Sequence, residues 1–279
     1  MKTKVLQILN WLFFMGMVVA NYLANALPFN NKTTKQVSDQ YPNLFVPAPI
    51  TFAIWGIIYL LILYFCIKQS KNLFSKVNDR ATEEVLNKIG ISFIVTCVLN
   101  IFWMLSWHFD YVAVSVIIML TLLVQLISLN LKIDTLTPYM NFSTKFSLKA
   151  PFGIYLGWIC VATIANVTAA LVHIHWNGWG QGEVFWTCAM ILIGAIIIAW
   201  ATNKLRNGFI ATAGIWAFSG IIINRIAISP YQRFIVWVAV GAIIVLFLGL
   251  LLEISRFIFR KPLIPSDLTS PDSPIVLES

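Results

Sequence analysis

Of the 279 residues, 59% are hydrophobic and 11% are charged, whereas a soluble domain carries roughly 25% charged residues. This composition excludes an ordinary soluble enzyme and points to an integral membrane protein. The net charge of +8 does not indicate nucleic acid, because the nineteen Lys and Arg are divided by membrane side and not gathered on one face.

Unbroken apolar runs of about 18 residues or more, long enough to cross a bilayer as a helix, occur eight times. The first, Val5 to Leu27, follows "MKTK" and ends near Ala24-Asn25-Ala26, a pattern shared with cleaved signal peptides. Its length, Trp11 and Asn21 favour a retained helix. The second, Ile50 to Ile67, is preceded by Pro47 and Pro49, which hold the chain extended as it enters the span. Phe52, Trp55 and Tyr59 stand three and four residues apart, so they share one helical face. A flat apolar molecule lying on that face and plain packing against neighbouring helices or lipid are both open readings. The third run, Ile89 to Trp107, carries Asn100, Trp103 and Trp107. After a tight turn at Asp110 comes the fourth, Tyr111 to Leu131, with Gln125.

In the fifth run, Ala150 to Val172, Trp158, Ala162 and Asn166 recur every four residues, with Thr163 beside them. Gly153 and Gly157 allow a close helix contact. The segment "HIHWNGW" that follows reads as an interfacial loop with an aromatic belt. No further ligand stands near His173 and His175 to complete a metal or haem site. Val184 to Thr202, Gly208 to Ile226 and Phe234 to Ile254 complete the set, and Lys261 to Ser279, with four prolines, reads as a disordered tail. The expected fold is therefore an all-α, polytopic transmembrane bundle of eight helices. With the amino terminus inside, fifteen basic residues fall on the inner side and four, Lys32, Lys35, Arg225 and Arg233, on the outer side. Both termini are then cytoplasmic.

The chemistry is marked by what the spans omit. None has Asp, Glu, Lys or Arg near its middle, which disfavours proton pumping and ion-coupled transport. Cys66, Cys97, Cys160 and Cys188 lack the paired spacings of zinc or redox sites and read as small core residues. There is no Gly-rich phosphate loop, no Ser-His-Asp order and no acidic pair. Acid–base catalysis needs positioned titratable groups, so no enzymatic activity is expected. Amides, hydroxyls and tryptophans are what the spans hold instead, and these suit a large, mostly apolar ligand with a few polar groups.

The segments "VPAPITFAIWGIIY", "NIFWMLSWHF" and "WICVATIAN" together resemble the translocator protein family, also called tryptophan-rich sensory proteins or peripheral-type benzodiazepine receptors. Pro47, Trp55 and Tyr59 match its second helix, Asn100 and Trp103 its third, and Trp158, Ala162, Thr163 and Asn166 its fifth. Two departures stand out. The proline pair is spaced as Pro47-x-Pro49, and Phe52 falls one position from the family's aromatic. The resemblance covers roughly residues 1–175 and implies a five-helix bundle that binds tetrapyrroles, sterols or synthetic aromatic molecules beneath the loop between its first two helices.

It further implies a ligand-binding set of Pro47, Trp55, Tyr59, Asn100, Trp103, Trp107, Trp158, Ala162, Thr163 and Asn166. No cofactor is required, and a porphyrin or haem is the group it implies as bound. The expected partners are a hydrophobic small molecule, membrane lipid and a second copy in a homodimer, with no nucleic acid. After Asn166 the chain reads "VTAAL", without the aromatic and basic residues of the proposed sterol motif, so tetrapyrroles are favoured. Residues 176–260 form three additional helices and 261–279 a cytoplasmic tail. The expected function is a receptor or sensor in a bacterial plasma membrane. A transporter whose extra helices complete a pathway is the alternative. With the pocket inside the first five helices, a chain ending after Asn177 should keep its ligand.

Overall fold

The computed structural model describes residues 3–26, 29–73, 80–136, 140–228 and 232–259. Leu27, at the expected end of the first span, and the expected disordered tail lie outside the described residues. Among those described, every regular element is helical. Helix α1 is Thr3–Ala26. The short α2, Thr34–Asp39, is held by a capping box in which the Thr33 hydroxyl and the Gln36 side chain serve each other's backbone N–H. A 3-10 turn at Pro49–Ala53, with proline at its start where no N–H is needed, leads into α3, Ile54–Gln69. Then follow α4, Arg80–Ile89; α5, Ser92–His108; α6, Val112–Leu136; α7, Phe142–His173; α8, Glu183–Lys204; α9, Gly208–Ile228; and α10, Arg233–Phe259.

Among the described residues, seven helices are long and apolar enough to cross a membrane, or eight spans result if α4 and α5 count as one broken span. That pair corrects the expected straight span from Ile89 to Trp107. The two helices meet at 50°, and Gly90 between them has φ 55, a left-handed conformation that glycine adopts without penalty. Helix α4 buries Val85, Leu86 and Ile89 and leaves Glu83, Glu84 and Lys88 exposed. Such a helix gains by lying across the bundle end and loses by entering hydrocarbon.

Helix α7 also departs from its expected start at Ala150. It begins at Phe142, where the Asn141 side chain accepts from the Thr144 N–H at 2.9 Å, and it continues through Pro151. The polar opening "FSTKFSLK" hides these two turns from any count of apolar residues. Helix α7 is the most buried span, with 61% of its apolar window inside, and it packs against α3, α6, α8 and α9. Phe65 of α3, Phe93 of α5 and Phe152 of α7 meet edge to face at 5.1 to 5.7 Å, a geometry in which ring edges complement ring faces.

The close helix contact expected at Gly153 and Gly157 is made with α9. A Cβ at Gly157 would overlap the Ile210 carbonyl, and one at Gly153 would meet the Asn207 side chain. Asn207 donates to the Lys149 carbonyl at 2.9 Å, and Asn130 of α6 donates to the Phe152 carbonyl at 3.1 Å. These amides take up backbone oxygens around the turn that contains Pro151. Small residues and interhelical amide bonds are what hold helices together when lipid is as apolar as the side chains.

Candidate ligand site

Two clusters gather most of the residues singled out in the sequence. The first lies between α3, α7 and the Pro49–Ala53 turn. Trp55 and Tyr59, one helical turn apart, stack at 5.7 Å with 29° between planes. The edge of Trp55 meets Trp158 at 6.4 Å and Tyr155 at 5.8 Å, and Phe52 packs edge-on to Trp158 at 5.9 Å. Trp158 is 4% exposed, yet its indole N–H has no acceptor. Behind this group Asn100, fully buried, accepts from Asn21 at 2.8 Å and donates to the Tyr155 hydroxyl at 3.1 Å.

The second cluster lies below α2. Trp103 and Trp107 are stacked at 6.2 Å and 15°. Trp103 donates to the Asn166 side-chain oxygen at 3.0 Å, and the Asn166 amide donates to Ser115 at 3.0 Å. Trp107 donates to the Thr34 carbonyl at 3.4 Å and packs on Tyr41 at 5.8 Å. Tyr41 also meets the His173 ring at 5.7 Å. Burial first, then the negative charge of Asp110, pushes the Tyr41 phenol above its ordinary value. A Lys32–Asp110 ion pair at 2.8 Å closes the same end. Both indoles and the Asn166 amide of this cluster have protein partners, and Trp107 ties it to α2.

The expected set therefore separates. Trp55, Tyr59 and Trp158 come together, with Asn100 attached through Tyr155, while Trp103, Trp107 and Asn166 form the second group. The Thr163 hydroxyl is turned back onto the Ile159 carbonyl at 2.7 Å and offers no free donor. Ala162 is half-buried against the core. Pro47 is buried in the chain leading to the 3-10 turn. Tyr155 was not singled out, although its spacing of three and seven from Trp158 and Ala162 places it on their face.

Three residues of α9, none of them in the expected ligand-binding set, hold the chain that leads into α3. Trp216 donates to the Thr51 carbonyl at 2.8 Å, the Gly220 carbonyl accepts from Ala48 N–H at 2.9 Å, and Asn224 donates to the Val46 carbonyl at 2.8 Å. In sequence they show only as an indole, a gap and an amide at every fourth position of an apolar run.

The rings of the first cluster pack on one another, so a flat ligand stacking there would replace ring-to-ring contacts. A separate cleft, lined by Lys68, Gln69, Lys71, Thr144 and Ser147, opens at the far end of α3. Fourteen residues separate Gln69 from Trp55, or about 21 Å of helix, so this cleft is not the expected site.

Fold and site together define a polytopic helical membrane protein with an aromatic and amide cluster inside the bundle. The family model described as TSPO-like protein matches residues 7–252, and the chain belongs to that family. The match runs from α1 into α10 and includes the three helices beyond residue 175. No curated protein and no solved structure matches the chain.

Proposed function

We propose that this protein is a membrane receptor or sensor for a flat, largely apolar ligand of the tetrapyrrole class, bound between α3 and α7 against Trp55, Tyr59 and Trp158. The observation that carries this reading is the Trp158 indole N–H, buried and without an acceptor among four other aromatic rings. A buried donor left unpaired costs about 1–3 kcal/mol, and an acceptor on the ligand would remove that cost while its flat face replaces the ring contacts. The buried amide Asn100 and the Tyr155 hydroxyl add polar groups behind the rings. The titratable rings of this cluster are the phenols of Tyr59 and Tyr155, and among the described residues neither is hydrogen-bonded to a carboxylate or an imidazole, which favours binding without turnover.

Titration of intrinsic tryptophan fluorescence with protoporphyrin IX tests the proposal. The full chain should bind, and Ala162→Phe, which adds bulk on the Trp158 face of α7, should weaken binding strongly while the protein stays folded. Equal affinities for wild type, Trp158→Leu and Ala162→Phe would reduce this face to ordinary packing. Flux of the same porphyrin into vesicles, if faster with protein than without, would favour transport over sensing. Membership of the family is consistent with a multi-pass location, and the fifteen-to-four charge split favours cytoplasmic termini.

A further inference from the structure

We infer that α9 is a rail that fixes the strap at residues 46–51, extended over 46–48 and then entering the 3-10 turn, and that the C-terminal helices thereby set the geometry of the ligand site without touching the ligand. The consequence for the ligand rests on the function proposed above, whereas the rail itself does not.

The strap joins the α2 region to α3. Pro47 and Pro49 have no N–H, so Ala48 carries the one backbone donor of that tripeptide, and it is given to the Gly220 carbonyl. The Val46 and Thr51 carbonyls are taken by Asn224 and Trp216. All three partners lie on one stripe of α9, at positions i, i+4 and i+8. The middle position has no side chain, and a Cβ there would overlap Thr51. The strap therefore lies directly on the α9 backbone, pinned at both ends by side chains and in the centre by main chain.

Extended backbone is tolerated within a membrane protein only where its polar groups find protein partners, and α9 supplies those partners. The next residue after the strap is Phe52, whose ring packs on Trp158, and Trp55 follows one helical turn later. A shift of the strap along α9 is transmitted to both rings. The chain through α7 contains the rings, whereas the hydrogen bonds that fix the register of this segment come from Trp216, Gly220 and Asn224 of α9.

The test uses the full chain and three variants. Asn224→Leu keeps the volume and removes one donor, Trp216→Phe keeps a ring and removes another, and Gly220→Ala adds a methyl against Thr51. Trp237→Phe on the exposed face of α10 serves as control, since Trp237 is 71% exposed. Hydrogen exchange of peptides containing Ala48 reads the rail directly. Asn224→Leu and Gly220→Ala should speed exchange by about fivefold, the factor for a lost hydrogen bond worth about 1 kcal/mol, with α7 exchange unchanged. Protoporphyrin affinity should fall by a similar factor in the same variants and stay put in Trp237→Phe.

Exchange unchanged in both Asn224→Leu and Trp216→Phe would overturn the rail, whatever happens to Gly220→Ala. Faster exchange with wild-type porphyrin affinity would overturn the claim that the rail sets the site. If the wild-type chain binds no porphyrin, the proposed ligand class fails and the exchange data alone still decide whether α9 holds the strap.

Discussion

Trp158 joins two properties seldom found in one core residue: it is almost fully buried, and its donor is idle. Replacing it or Trp55 by Leu should weaken protoporphyrin binding by about 1–3 kcal/mol, the range for an aromatic anchor that loses stacking and fit. Thermal unfolding run beside the titration separates that loss from a failure to pack. Trp158→Phe is the finer probe, because it keeps a ring and removes the N–H, so binding should suffer more than stability. The identity of these side chains was legible from their three-and-four spacing. Their partners were not: Asn21 and Ser115 are polar residues with apolar neighbours on either side in the chain, and only the fold brings them to Asn100 and Asn166.

Also at this scale, Tyr41 makes a prediction about pH. Its phenol lies above its ordinary value, through burial and then the Asp110 charge. The protonated form is thus the one the folded cap favours. Its contribution is complete below the ordinary phenol value, about 10, and is lost as pH rises through the higher folded value. The environment of Trp107, read by fluorescence, should change above about pH 10 in the wild type and show a smaller change in Tyr41→Phe. An identical profile in the variant would remove Tyr41 from the account.

At the scale of elements, apolar run lengths revealed every span, because hydrocarbon thickness imposes a length that needs no knowledge of neighbours. They did not reveal breaks. Gly90 lies just after the first residue of the expected third span, and nothing in a count of apolar residues shows that its backbone turns left-handed. Gly90→Ala should cost about 1 kcal/mol, and the damage should appear in α4, whose Leu86 packs with Leu6 and Ile94. Proteolysis near Lys88 should therefore quicken before the helical circular dichroism falls. A variant as resistant as wild type would mean that the bend is not set by this glycine.

For the molecule as a whole, the sequence places the ring cluster in residues 1–175 and suggests that this part binds ligand by itself. The glycine face of α7 and the strap both turn out to be completed by α9. A chain ending after Asn177 would expose Gly153, Gly157 and the carbonyls of Val46 and Thr51 to lipid. We therefore expect that truncated chain to bind protoporphyrin poorly or to unfold, and retention of wild-type affinity in a folded truncation would refute this. The dependence could not be read in advance, since it rests on long-range pairings between residues some 165 to 178 apart, which no local pattern encodes.

The four cysteines bear on how this molecule can be handled. Cys66, Cys97, Cys160 and Cys188 are each at most 6% exposed and lie inside helices. A polar thiol reagent should find nothing to modify in the folded chain, so the protein is its own silent background for site-directed labelling. A cysteine introduced at Asn177, in the turn after α7, becomes the single reactive thiol. It can carry a fluorophore, a spin label or an impermeant maleimide without any native cysteine being removed, and the side of the membrane from which it reacts reports orientation in intact cells.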